Sequence, residues 1–251
     1  METFNEFDQS GTAPQKNFSE IINHAFTNYF KVIGWCILLF VIVLVLSIIL
    51  SSIAGPITGY DPMAAQDEMQ EIANDGRFME AYQHMLGVPG YKENILLSSL
   101  LSLLVYPLYA GFLMILHRGN VSESVSFSDL FVGIRKNALQ YIIYAIISTI
   151  ATAIGLMLCV LPVFLVIPFF FLGVPFILFQ NNSAMEAISK SFNIAKNNYG
   201  TFLGVTIISI LIAIVGVIFC GIGILLTAPF YFAAMYSAYC AYVGIPARNI
   251  N

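Results

Sequence analysis

Few residues in this 251-residue chain are of types that do chemistry. The three histidines are His24, His84 and His117, and the four cysteines are Cys36, Cys159, Cys220 and Cys240. The cysteines all sit in apolar runs, with no CxxC and no Cys/His cluster, so they offer neither a disulfide framework nor a metal site. Buried free thiols are the expectation, with a Cys159–Cys220 pairing left open. The histidines fall at the ends of apolar runs or in a loop and are expected to be surface residues. Asp67, Glu71 and Asp75 recur every fourth residue, which would line a helix face with carboxylates suited to a divalent cation. A solvated acidic face explains the same pattern and is preferred. The chain has no HExxH, Ser/His/Asp set, P-loop or Rossmann glycine pattern. No catalytic, metal-ligating or cofactor-binding residue is therefore assigned, and an enzyme is not expected.

The elements that would carry these residues are membrane spans. The chain is 59% hydrophobic and 10% charged, with mean hydropathy +0.83. A soluble domain carries about 25% charged residues. Val32–Ile53, Ile95–Leu116, two spans within Ala138–Phe179 and two within Gly200–Ala247 are free of Asp, Glu, Lys and Arg. Each is near the roughly 20 residues a bilayer requires. The turns are placed at Cys159–Pro162 and Cys220–Gly223. This predicts an all-α protein of six transmembrane helices. A secretory signal does not fit the acidic start, with Glu2, Glu6 and Asp8.

Three stretches are amphipathic, too polar to span and too apolar on one side to float free. These are Asn17–Phe30, Ser126–Asn137 and Ser183–Asn198. The second and third open on Ser-x-x-acid capping boxes, Ser126/Asp129 and Ser183/Glu186. In the third, Met185, Ile188, Phe192 and Ala195 fall on one face, and Glu186, Lys190, Asn193 and Lys196 on the other, as for a helix lying in the membrane interface. Each amphipathic stretch is followed by two spans, the second carrying a proline before apolar and aromatic residues at Pro107, Pro168 and Pro229. Gly155/Cys159 and Gly216/Cys220 recur as Gly-x-x-x-Cys. The order predicts three parallel repeats of interfacial helix plus hairpin: 17–118, interrupted by the acidic loop 56–93, then 126–180 and 183–245. The tails are 1–16, expected to be disordered, and 246–251. Within the loop, Met63–Asn74 and Arg77–Leu86 read as helical.

Lys16, Lys31, Arg118, Arg135, Lys136, Lys190, Lys196 and Arg248 fall on one side of this topology, and Arg77 and Lys92 on the other. The positive-inside rule then places both termini in the cytoplasm, in a bacterial inner membrane. Pro107, Pro168 and Pro229 are candidate helix breaks, around a cavity or in ordinary kinks that neighbouring helices repair. Phe18, Phe26, Phe127, Phe131, Ile188, Phe192, Met69 and Met79 are candidate interaction residues. Tyr236, Tyr239 and Tyr242 read as an interfacial aromatic belt.

Over 126–244, the segments FSDLFVGIRKN, ILFQNNSAMEAISKSFNIAKNNYGTFLGV and the turn and span from Gly216 to Pro229 carry a likeness to a known group. The region resembles uncharacterised bacterial multi-spanning proteins that include the membrane domain of some glycerophosphodiester phosphodiesterases. The resemblance implies architecture alone, since no phosphodiesterase domain is present. The function expected first is a non-enzymatic accessory or scaffold protein that binds membrane lipids or a membrane-protein partner. A transporter or flippase-like protein for an apolar or amphiphilic substrate is the alternative, favoured if a cavity forms between the Pro-aromatic segments. No basic stripe points to nucleic acid.

Overall fold

The computed structural model describes residues 11–63, 70, 72, 76–158, 160–218 and 223–247. Every described regular element is helical, and six helical segments are long and apolar enough to cross a membrane. The chain is therefore an all-helical, multi-pass membrane protein. It divides into two compact units, residues 1–41 with 106–251, and residues 42–105.

Helix α1 (Phe18–Thr58) joins the first amphipathic stretch to the first span, with one non-helical residue at Val32 (φ −126°, ψ 16°). Ile21, Ala25, Tyr29, Val32, Cys36 and Leu39 are buried. Their spacing of three and four residues makes one stripe that crosses the kink. In the second unit, Gly76 and Arg77 precede α2 (Phe78–Gly87), and a turn at Val88–Gly90 leads into α3 (Tyr91–Ser102). Gly90 adopts φ +76°, and a Cβ there would meet the Thr58 carbonyl and the Tyr60 amide, so this close turn requires glycine. Most of Met63–Asn74 lies outside the described residues, as do Asp67, Glu71, Asp75, Cys159 and Cys220.

A 3₁₀ segment, Leu103–Leu108, contains Pro107 and leads into α4 (Tyr109–Asn120). The second amphipathic stretch is not one helix. It is a 3₁₀ turn, Phe127–Phe131, followed by the short α5 (Val132–Arg135). The cause is local. The buried Asp129 carboxylate accepts from the Ser126 amide at 2.9 Å and lies 3.6 Å from Arg118, which also pairs with Glu123. β-branched Val132 and Ile134 with Gly133 propagate a helix poorly, and Asn137 ends it in the left-handed region (φ 57°).

Helix α6 (Ala138–Leu158) pairs with α7 (Val160–Phe170), and α8 (Gly173–Gln180) follows. Asn181, also left-handed (φ 55°), closes α8 and accepts a hydrogen bond from the Asn137 amide. Helix α9 (Ala184–Asn197) carries the expected capping box: Ser183 N–H donates to Glu186 (2.9 Å), and Glu186 N–H donates to Ser183 Oγ (3.4 Å). It packs on its small residues. Ala184, Ala187, Ser191 and Ala195 are buried, whereas Met185 and Phe192 are exposed and Ile188 half-buried. Small residues let the α9 backbone approach its neighbours closely, and that contact takes precedence over burying the larger side chains. Helices α10 (Tyr199–Ile218), α11 (Ile224–Thr227) and α12 (Phe230–Tyr242) complete the chain.

Two glycines show how tightly the first unit closes. A Cβ at Gly133 would collide with the Pro107 carbonyl and come within 2.9 Å of Ala110 Cβ. A Cβ at Gly111 would collide with the Leu130 carbonyl and lie 2.9 Å from Leu39 Cδ2. Gly133→Ala is expected to cost about 1–3 kcal/mol through overpacking, read as a lower unfolding midpoint in detergent. The Glu186 cap has a pH signature. The Ser183 amide, and then its hydroxyl, hold the Glu186 carboxyl below its ordinary 4.5. A lowered folded value means the cap is fully effective above 4.5 and is lost as pH falls through the folded value. Protection of the first-turn amides of α9, corrected for intrinsic exchange, should fall over that acidic range, and Glu186→Ala should abolish the dependence.

Candidate functional site

The three proline-bearing spans are interrupted near their prolines. Pro107 lies in the 3₁₀ segment, α7 ends two residues after Pro168, and Pro229 separates α11 from α12. Proline removes one amide donor and displaces the preceding turn, which exposes backbone groups. Neighbouring side chains then supply partners. Ser191 on α9 donates to the Phe169 carbonyl (2.7 Å) and accepts from the Leu172 amide (3.0 Å). The Tyr144 hydroxyl donates to the Phe170 carbonyl. Tyr199 reaches the Leu165 carbonyl (3.1 Å), and Tyr29 reaches the Leu226 carbonyl (2.6 Å).

Between these interruptions lies a cavity of about 490 Å³. Its wall takes Tyr106 and Tyr109 from beside Pro107, Ile167 and Phe170 from beside Pro168, and Tyr231 and Phe232 from beside Pro229. Helix α6 contributes Tyr144, Ser148, Thr149 and Thr152, near the middle of its length. No Asp, Glu, Lys, Arg or His lines it among the described residues. Rings form much of the wall: Tyr106 and Tyr109 are 4.7 Å apart, Tyr109 and Phe232 5.1 Å, and Phe232 stacks on Phe112 at 4.5 Å. The Ser148 and Thr152 protons are donated to their own helix, at the Ala145 and Ser148 carbonyls (3.1 and 2.7 Å). In size and apolar character the cavity falls in the range of small-molecule sites.

The interaction candidates do not assemble into one patch. Phe18, Phe127 and Phe192 are exposed, Phe26 is at the exposed limit, and Phe131 and Ile188 are half-buried. Phe26 packs on Phe230 (4.3 Å), Phe127 on Phe131 (5.4 Å) and Phe192 on Phe169 (4.8 Å). No described ring contact joins the aromatic residues of one amphipathic stretch to those of another. Met69 and the Met79 side chain lie outside the described residues. In the second unit, a separate cavity of about 820 Å³ is lined by Ser47, Ser52, Asn94 and Ser98 among others.

A polar network fills one end of the first unit. His117, expected on the surface, is 1% exposed, and its Nδ1 lies 3.1 Å from the Tyr236 hydroxyl. Asn120 Nδ2 donates to that hydroxyl (3.0 Å) and to the Thr12 carbonyl (2.9 Å), while Thr12 N–H and Oγ donate back to Asn120 Oδ1. His24 contacts the Thr12 carbonyl (2.8 Å) and Ser237 Oγ (2.9 Å). Residues 11–16 of the tail expected to be disordered are thus described, and Thr12 is tied to two helices. Tyr236 and Tyr239 are buried rather than an interfacial belt, and Tyr239 accepts from Gln180 at 3.2 Å. Helical spacing was the available signal: His24/Asn28, His117/Asn120 and Tyr236/Tyr239 each put polar groups on one face.

Tyr236→Phe removes the hydroxyl that both His117 and Asn120 contact and leaves buried polar atoms short of a partner. It is expected to cost about 1–3 kcal/mol, visible as a lowered unfolding midpoint, whereas Tyr242→Phe, at a half-buried site, should change little. No protein-family model matches this chain, and neither a curated protein nor a solved structure matches it at a significant level.

Proposed function

We propose that this chain is a bacterial inner-membrane protein that takes an apolar or amphiphilic molecule into the cavity between its proline-broken helices, as a transporter or flippase-like protein. The observation that carries the reading is the cavity itself. It gathers residues beside Pro107, Pro168 and Pro229 and is walled by rings without a charged side chain. Charged substrates and coupling ions call for ionisable groups at depth. A molecule made mostly of hydrocarbon, with an uncharged polar part, requires none. The same uncharged wall favours binding over catalysis.

The architecture proposed with this function is threefold, each repeat a capped segment, an unbroken span and a proline-broken span, with both termini cytoplasmic. The Ser126 and Ser183 caps and the placement of Lys and Arg support it. It accords with the proposed likeness to the membrane domain of some glycerophosphodiester phosphodiesterases. A second reading, a scaffold that engages lipids or a membrane-protein partner, draws on the exposed Phe18, Phe127, Met185 and Phe192 of the amphipathic segments.

Purification in native-lipid nanodiscs, followed by mass spectrometry of retained small molecules, tests the proposal. The wild-type protein is expected to retain a defined amphiphile. Ala153→Trp, which fills the cavity from α6, should lose it while keeping a wild-type unfolding midpoint. Equal retention by the two proteins would move the binding elsewhere. A co-purifying protein partner with no retained amphiphile would favour the scaffold.

A further inference from the structure

The hydroxyl groups around the cavity are not equivalent. Tyr144 spends its proton on the Phe170 carbonyl, and Ser148 and Thr152 spend theirs on α6. Tyr109, Tyr231 and Thr149 also line the cavity, and no hydrogen bond to another described residue uses their hydroxyls. Neither phenol oxygen is among the polar atoms sealed from solvent without a partner. They belong to α4 and α12, next to Pro107 and Pro229 respectively, and Phe232 bridges them, 5.1 Å from the Tyr109 ring and 5.8 Å from the Tyr231 ring. Tyr106 brings a third ring, 4.7 Å from Tyr109.

A cavity whose unassigned polar groups are hydroxyls, in an aromatic wall with no charged side chain among its described residues, suits an uncharged polar head that can accept their hydrogen bonds. An anion finds no cation among the described lining residues, and an ammonium would find ring faces but no carboxylate, so a dodecylamine probe is included as the competing outcome. We infer that the cavity holds the carbonyl-bearing head group of a neutral amphiphile, with the Tyr109 and Tyr231 hydroxyls donating to its oxygens and the rings of Phe232, Tyr109 and Phe170 packing its apolar faces. Two membrane sources share this chemistry: an isoprenoid quinone, with two ring carbonyls, and an acylglycerol, with ester carbonyls. The inference rests on the proposed function, because it requires the cavity to be a ligand site.

The experiment measures binding of decylubiquinone and of dioleoylglycerol to the full chain in nanodiscs, with decylbenzene and dodecylamine as probes that lack a carbonyl. Tyr109→Phe and Tyr231→Phe keep each ring and remove only the hydroxyl, so the fold is preserved. Each is expected to weaken the carbonyl probe about tenfold and to leave decylbenzene unchanged. The better carbonyl ligand identifies the source. If Ala153→Trp abolishes amphiphile binding but the two phenylalanine variants bind the carbonyl probes as tightly as wild type, the carbonyl inference is overturned and the ligand site stands. Tighter binding of dodecylamine than of either carbonyl probe overturns it as well. If Ala153→Trp changes nothing, both fall.

Discussion

A backbone amide or carbonyl without a partner in hydrocarbon costs several kcal/mol, and this requirement governs the first unit. The chain interrupts three of its spans at or near proline and then must provide for the groups so exposed. It does so with side chains from other elements. Ser191 serves an amide and a carbonyl at once, Tyr144 and Tyr199 take two more carbonyls of the Pro168 region, and Tyr29 takes one before Pro229. These bonds are also tertiary contacts, so the repair of each break and the docking of α9, α6, α10 and α1 are one event. The cavity follows from the same arrangement, since broken helices cannot pack along their full length.

Close approach is the second condition. A hydroxyl bonds a neighbouring backbone only if the two elements come within reach, and large side chains would hold them apart. Ala184, Ala187, Ser191 and Ala195 on α9 meet this need, as do Gly133 against Pro107 and Gly173 against the Tyr144 ring. Without a hydrophobic drive between helices in lipid, such contacts and interhelical hydrogen bonds carry the association.

Much of this was legible from residue types. The spans were visible because hydropathy alone marks them, and the Ser183 cap because a capping box is local. The proline positions were visible too. What the residues could not reveal was which face of α9 packs against the protein: the contact is made by alanine and serine, while Met185 and Phe192 stay exposed. The second amphipathic stretch had helical periodicity, yet Asp129 is drawn into a cluster with Arg118 and Glu123 that favours a 3₁₀ turn. His117 and Tyr236 lie at span ends, where composition suggests an interface, and their burial depends on a partner, Asn120, and a strap, Thr12, that only the fold brings together. The cavity was conceivable at the prolines, but its free hydroxyls became identifiable only once the other hydroxyls had been assigned their acceptors.

The paired asparagines at 137 and 181 carry a different kind of consequence. Both are in the left-handed conformation, which asparagine adopts more readily than most non-glycine residues, and their side chains are hydrogen-bonded to each other. Glycine would satisfy either backbone but sever the link. The two positions are therefore bound to a shared history: across descendants of this sequence, they should change together or not at all.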